Sequence, residues 1–157
     1  MTSLLSAKTT HDSTVEGHCS ASGWRACSAA TSQARGPAVF VVGADRSGTT
    51  MLRLILNRHP ELAIPPESHF LVPLLTTLPL QSKLTADQVR SAAETIIGCR
   101  SFSTWQTPAH TLRQALLHQP EATLSKLVDT AFRLEIAGSG KPCWGDKTPD
   151  YALWMPQ

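Results

Sequence analysis

The pattern of apolar and polar positions changes at Pro37. Residues 1–36 are rich in Ser, Thr, Ala and Gly, and they follow neither the period of a strand nor that of a helix. Such a segment buries too little apolar surface to offset the entropy lost on ordering. We therefore predict a flexible, low-complexity leader over residues 1–36, or a misassigned start, and an ordered domain over residues 37–157.

The ordered part opens with an apolar segment, a glycine-rich loop and a second apolar segment. Residues 38–42 are short, apolar and rich in strand formers, which predicts a strand buried on both faces. A loop over residues 43–48 follows, and the spacing of the next apolar residues predicts a helix over residues 49–57. A glycine loop between a strand and a helix is the context in which proteins bind phosphate groups.

Three more helices are predicted before the chain returns to the sheet. A Thr-x-x-Gln capping box begins a helix over residues 85–97. A threonine N-cap, with proline at the first helical position, begins another over residues 107–118. The third spans about residues 121–136 and carries its apolar residues on one face.

The end of the chain predicts a second strand over residues 141–144, a second loop over residues 145–149 and a helical turn from Tyr151. Strands joined through helices imply an α/β fold, in which a P-loop-like parallel sheet is flanked by helices. Such sheets usually have about four to six strands, and the pattern predicts two. We therefore expect residues 37–157 to be the incomplete, N-terminal part of a larger domain. The alternative is a complete small fold with strands that the pattern does not reveal.

Composition restricts the class of protein. The chain has 157 residues, 41% of them hydrophobic and 17% charged, as in a globular domain. A formal net charge of +2 gives no reason to expect nucleic acid as a partner. We expect no membrane span, no export signal and no metal site, because the apolar runs are short and the cysteines fit no zinc spacing. A cytoplasmic protein with reduced thiols is the simplest expectation, and the oligomeric state is not indicated.

The first loop is close to a P-loop but lacks the lysine of that motif. After Gly48, where G-x-x-x-x-G-K-[ST] has lysine, the chain has Thr49, and Arg46 supplies a cation inside the loop. Backbone amides and the helix N-terminus suit a phosphate or sulfate, and a guanidinium matches two of its oxygens. Without the lysine, the loop is poorly equipped for the γ-phosphate of a nucleotide bound with magnesium. The second loop emerges at the same edge of a parallel sheet, so we expect Lys147 to face the anion that Arg46 binds.

Two stretches resemble a known family. FVVGADRSGTTMLRLILNRHPELAIPPES, which begins at Phe40, looks like the cofactor loop of sulfotransferases that use 3′-phosphoadenosine-5′-phosphosulfate (PAPS). It is similar to the bacterial and the tyrosylprotein sulfotransferases. WGDKTP, which begins at Trp144, resembles their second conserved element. The two motifs occur in the expected order, about 100 residues apart, and together they are more specific than either alone.

The resemblance implies transfer of a sulfonate group from PAPS to a hydroxyl or amine acceptor, without a metal ion. Glu67 would deprotonate the acceptor, and Lys147 would stabilise the leaving phosphate, with Arg46 as the third catalytic residue. The element that binds the 3′-phosphate in these families would lie beyond Gln157. One interpretation is therefore that this chain alone is an inactive fragment. The residues expected to bind the 5′-phosphosulfate are Arg46, Ser47, Gly48, Thr49 and Thr50.

Several alternatives stay open. A P-loop nucleotide kinase-like phosphotransferase would need ATP and Mg²⁺, and a truncated anion-binding fragment would have no activity.

We expect the apolar neighbours Ile64 and Phe70 to raise the pKa of Glu67 and favour its role as a base. His69 is the second candidate base, because imidazole titrates near neutral pH. The sequence does not identify the acceptor. Three aromatic residues could line an acceptor or purine pocket, but we expect them to belong to the core: Trp144, Tyr151 and Trp154.

Overall fold

The computed structural model describes residues 36–154, so the predicted leader lies outside the described residues except for Gly36. Short 3₁₀ turns lie at Arg100–Thr104, Ala137–Ser139 and Pro149–Trp154. The strands and helices, in chain order, are β1 (Val39–Val41), α1 (Thr49–Leu56), β2 (Leu62–Ala63), α2 (Leu71–Thr77), α3 (Ala86–Ile97), α4 (Ala109–Leu117), α5 (Leu124–Ile136) and β3 (Cys143–Lys147).

The three strands of the described chain form a parallel sheet in the order β1-β3-β2, which confirms the predicted α/β fold. The central strand β3 is buried along its whole length. Its register pairs Val41 with Lys147 and Ala63 with Trp144. The two loops that follow β1 and β3 therefore emerge together at one edge of the sheet.

The predicted position of the last strand was wrong by a few residues. The pattern placed the strand at residues 141–144 and assigned Asp146 and Lys147 to a loop, whereas β3 continues through both. Charged residues usually indicate solvent, but the side chains of these two are buried and satisfied by polar partners. Sequence periodicity does not reveal such pairing.

Gly145 is required where β3 passes between its neighbours. A Cβ atom at this position would lie 2.8 Å from the carbonyl oxygen of Val39 and 3.0 Å from Cγ1 of Ile64. The first contact requires the backbone to shift, and the second is tight enough that the Ile64 side chain would also have to move. The glycine thus lets β1 and the segment after β2 approach β3 closely.

Two of the helix predictions needed correction at their N-termini. α3 begins as predicted, with Thr85 and Gln88 forming a reciprocal capping box. α4 begins at Ala109 after Pro108, because the hydroxyl of Thr107 donates to Glu135 (2.7 Å) instead of capping the helix. α5 begins at Leu124, three residues later than predicted, with Thr123 as its N-cap. β2 and α2 were not predicted at all.

A cluster of aromatic rings joins the sheet to the helices. Phe132 of α5 stacks on Trp144 of β3, with ring centroids 4.2 Å apart and planes 1° from parallel. Phe70 and Trp105 pack against Phe132 at 5.7 and 5.3 Å. The expectation that Trp144 belongs to the core is confirmed, whereas Trp154 is 60% exposed and does not.

The apolar residues of α1 face solvent in the described structure. None of its eight residues is buried. The helix begins the chain's return toward β2 but packs little against the sheet. Its exposed large side chains are Met51, Leu52, Leu54 and Ile55, and Phe40 of β1 is also exposed. Within residues 36–154, no helix is both long and apolar enough to cross a bilayer.

Candidate functional site

Two residues of the loop between β1 and α1 have a backbone conformation that is rare for residues with a side chain. Arg46 has φ 59° and Gly48 has φ 87°, both in the left-handed region. The amide of Ser47 donates to the carbonyl of Ala44 (3.2 Å), which closes the turn. The amide of Gly43 donates to the carbonyl of Pro149 (3.4 Å), so the first loop is tied to the turn that follows β3.

The N-terminus of α1 is open for an anion. Gly48 is its N-cap residue, and within the described chain no side chain accepts a hydrogen bond there. The amides in the first turn of a helix have no partner inside the helix, and the helix dipole adds a partial positive charge. Arg46, Ser47 and Thr50 are exposed beside these amides. The loop thus presents amide, hydroxyl and guanidinium donors to solvent.

Lys147 connects the two motifs of the sequence. It ends β3, and its side chain is only 4% exposed. Its Nζ donates to Oγ1 of Thr50 (3.3 Å) and forms an ion pair with Oε1 of Glu67. The structure therefore brings Thr50, Glu67 and Lys147 together from three segments. The described contacts do not join Arg46 to this group, so the facing of Arg46 and Lys147 across one anion stays a prediction.

Glu67 has a second partner. Nε2 of His69 lies 2.8 Å from Oε2 of Glu67, so each carboxylate oxygen faces a different nitrogen base. His69 has φ 55°, an unusual conformation for a histidine, and this turn brings its ring back toward Glu67. His69, the second candidate base, thus contacts the first candidate in this structure.

The expectation of a raised pKa for Glu67 was wrong. Partial burial does raise the pKa, but the hydrogen bond and the charge of Lys147, together with His69, outweigh it and hold the pKa below its ordinary value. The side chain is 34% exposed. A nearby cation, and not the apolar neighbours, therefore decides the ionisation of Glu67 when no ligand is bound.

Behind this pair lies a buried polar network that sequence reasoning missed. Oγ of Ser68 donates to Oδ2 of Asp146 (2.6 Å), and Oγ1 of Thr148 donates to the other oxygen of Asp146 (3.0 Å). The amide of Ser68 donates in turn to Oγ1 of Thr148 (3.1 Å). Since the proton of the Ser68 hydroxyl is already used, the Tyr151 hydroxyl donates to Ser68 (2.8 Å).

This network fixes the relative position of the two catalytic candidates. Ser68 follows Glu67 and Asp146 precedes Lys147, so the bond between them holds both neighbours in register. Burial is the main cause that raises the pKa of Asp146 to about 6, with hydrogen bonds from Ser68 and Thr148 opposing it. The polar residues of WGDKTP were the signal that could have revealed the network, but their partner Ser68 lies far away in sequence.

A cleft of about 490 Å³ opens beside the group formed by Thr50, Glu67 and Lys147. Thr50, in the first turn of α1, lines the cleft, whereas residues 43–48 of the first loop do not. Its other walls come from α1, from the segment before α2 and from the 3₁₀ turn after α3. The remaining lining residues are Arg53, Pro66, His69, Arg100, Ser101 and Thr104. The cleft has room for a small molecule that reaches Glu67.

Four features of this structure are those of P-loop-like α/β group-transfer proteins. They are the parallel sheet, the glycine loop after its first strand, the helix without a side-chain N-cap and the buried lysine at the same edge of the sheet. The sequence model of the sulfotransferase family matches residues 37–157, which is most of the chain. The chain therefore belongs to the sulfotransferase family, as the resemblance implied. Neither the curated proteins nor the solved structures give a significant match.

Proposed function

We propose that this protein transfers a sulfonate group from PAPS to a hydroxyl or amine of an acceptor. The observation that carries the proposal is the position of Lys147, which is buried and bridges Thr50, in the helix after the first loop, and Glu67, at the cleft. A cation between an anion-binding loop and a carboxylate can stabilise the charge that develops on a leaving phosphate next to a positioned base.

The first loop fits the 5′-phosphosulfate end of the donor. The open amides of α1, the hydroxyls of Ser47, Thr49 and Thr50 and the guanidinium of Arg46 are donors for its oxygens. These hydrogen-bond donors neutralise the negative charge of the phosphosulfate without a metal ion. The described residues account for this end of the donor only.

In the proposed reaction, the acceptor oxygen or nitrogen forms a bond to sulfur while the bond from sulfur to the bridging phosphate oxygen breaks. The electron pair of that bond stays on the phosphate, and Lys147 neutralises the charge that develops there. Glu67 takes the proton that the acceptor loses. The product is a sulfated acceptor together with adenosine 3′,5′-bisphosphate.

The shared position of Lys147 also suggests how Glu67 becomes a base. When no ligand is bound, Lys147 holds Glu67 ionised and lowers its proton affinity. A phosphate bound next to Thr50 competes for the same ammonium group. Glu67 then loses part of its stabilising partner and its pKa rises, which makes it a better base only when the donor is present.

The test is a calorimetric titration of the full chain with adenosine 3′,5′-bisphosphate. We expect Arg46→Ala to abolish binding, and we expect Arg58→Ala, which changes an exposed arginine outside the cleft, to bind as the wild type does. Sulfonate transfer from PAPS is expected to continue in the presence of EDTA. Unchanged affinity in Arg46→Ala, or activity that requires ATP and Mg²⁺, would overturn the proposal, and the latter would support the kinase alternative.

A further inference from the structure

The cleft beside Glu67 carries more positive charge than the transfer reaction uses. Glu67 is the one acid among its lining residues in the described range, and Lys147 already pairs with it. Two guanidinium groups, those of Arg53 and Arg100, are then left without a carboxylate partner in the cleft. Any molecule that enters meets this uncompensated charge.

The two arginines differ in what they contact. Nη1 of Arg53 donates to the carbonyl of Ile64 (3.1 Å), so part of this guanidinium is already bound within the protein. The side chain of Arg100 is exposed and has no hydrogen bond or ion pair within residues 36–154. Arg100 is therefore the guanidinium that is free to bind a ligand.

Arg100 is held at the cleft by its neighbours on both sides. Sγ of Cys99 and Oγ of Ser101 both donate to the carbonyl of Ser68, at 3.4 and 2.5 Å. This carbonyl belongs to the residue that follows Glu67. The 3₁₀ turn that begins at Arg100 is thus anchored next to the predicted base, which fixes the backbone of Arg100 beside the place where the acceptor must bind.

Binding of PAPS at the first loop does not require Arg100. Of the loop and the start of α1, only Thr50 lines the cleft, and Arg46 does not. The first loop has its own guanidinium in Arg46 and the open amides of α1. The positive charge of Arg53 and Arg100 in the cleft is therefore additional to the guanidinium of the first loop.

We infer that the acceptor carries an oxyanion, such as a carboxylate, sulfate or phosphate group, close to the hydroxyl or amine that is sulfated. Arg100 binds this group through its planar fork, and Arg53, which also lines the cleft, adds positive charge. His69 and Glu67 then face the nucleophile. This inference rests on the proposed function and names the chemical class of its acceptor.

The experiment compares small acceptors that differ in charge and share a phenol or the secondary hydroxyls of a pyranose ring. One series is 4-hydroxyphenylacetate and 4-methylphenol; the other is glucuronate, glucose 6-phosphate and glucose. Binding to the full chain is measured by ligand-observed NMR, with and without adenosine 3′,5′-bisphosphate, and transfer from PAPS is measured in parallel. We expect the anionic members to bind at least about tenfold more tightly than the neutral members, which corresponds to one charge-assisted hydrogen bond.

Arg100→Gln is the decisive variant, and Arg58→Gln is its matched control. We expect Arg100→Gln to remove the preference for anionic members and to leave the binding of 4-methylphenol and glucose unchanged, whereas Arg58→Gln keeps the preference. Different responses to the carboxylate and phosphate sugars then show which oxyanion fits.

Two outcomes overturn the inference. One is an equal response, or no response, to neutral and anionic members in the wild-type chain. The other is a loss of bisphosphate binding in Arg100→Gln as large as that in Arg46→Ala, which would assign Arg100 to the donor. The proposed function fails separately, if the bisphosphate does not bind the wild-type chain.

Discussion

Glu67 is held from two sides, by Lys147 on one carboxylate oxygen and by His69 on the other. The motif of the family predicted Glu67 and Lys147 as functional residues, and the structure brings them into contact. The motif did not predict a role for Ser68. The role of this serine depends on its hydrogen bond to Asp146, which lies 78 residues further along the chain. A motif can therefore select single positions as candidates, whereas it does not reveal which residues pair across the sheet.

We expect Glu67→Gln to lower turnover by about 10²–10⁴, the usual contribution of a positioned base. The amide keeps the shape of the side chain but cannot take the proton. Adenosine 3′,5′-bisphosphate is expected to bind with little change, since its donors lie in the first loop. The measurements are steady-state turnover and calorimetry, with thermal unfolding as the check that the variant is folded. Wild-type turnover in Glu67→Gln would remove Glu67 from the mechanism.

The raised pKa of Asp146 leads us to expect an unusual dependence of stability on pH. Its pKa in the folded chain is raised to about 6 from an ordinary value of 3.8, so the folded state holds this proton more tightly than the unfolded state. The stabilising contribution is therefore complete below about pH 3.8 and is lost as the pH rises through about 6. Burial accounts for most of the effect.

The variant that tests this is Asp146→Asn, which keeps the size of the side chain but does not titrate. We expect the free energy of unfolding of the wild type to fall, relative to the variant, by up to about 3 kcal/mol between pH 4 and pH 7. Denaturant titrations of both chains across this range give the difference directly, and other carboxylates cancel. A constant difference across the range would show that folding does not raise the pKa of Asp146.

At the scale of elements, local signals were readable and tertiary ones were not. The capping box of α3 is a contact within one turn, and it was predicted at the observed residues. β2 has two residues and α2 contains Pro73, so neither carries a periodic pattern long enough to recognise. β3 extends into charged residues because the interior supplies their partners, which no local pattern records.

Gly145 provides a prediction about the packing of the strands. Gly145→Ala places a methyl group 2.8 Å from the Val39 carbonyl, so β1 and β3 must separate, and we expect a loss of about 1–3 kcal/mol in the free energy of unfolding. The control is Gly138→Ala, because a Cβ atom there meets nothing within 4 Å. Denaturant unfolding measures both. Equal effects of the two substitutions would contradict the close approach of the strands.

At the scale of the whole molecule, the core lies on one side of the sheet. The buried cluster joins β3 to α3, α4 and α5, whereas α1, on the chain between β1 and β2, leaves its apolar residues exposed. The sequence pattern of α1 predicts burial, since an apolar helix normally faces a core. The pattern describes what a helix can cover, and it cannot say whether the rest of the molecule covers it.

This asymmetry predicts different responses to one kind of substitution. Leu127→Ala, in α5, removes a fully buried side chain, and we expect it to cost about 2–5 kcal/mol of unfolding free energy. Leu54→Ala, in α1, removes a side chain that is 51% exposed, and we expect a change within about 0.5 kcal/mol. Urea titrations distinguish the two. A large cost for Leu54→Ala would show that α1 is covered in solution.

The hydrogen bond from Ser68 to Asp146 has a consequence for the order of events during synthesis. A ribosome that has released the glycine loop and Glu67 still has four helical segments to translate before Asp146, Lys147 and Tyr151 leave the exit tunnel. Until then, Glu67 and Ser68 lack the partners that β3 supplies in the folded chain. The contacts of Glu67 with Lys147 and of Ser68 with Asp146 can therefore form only after β3 has been translated and has inserted between β1 and β2.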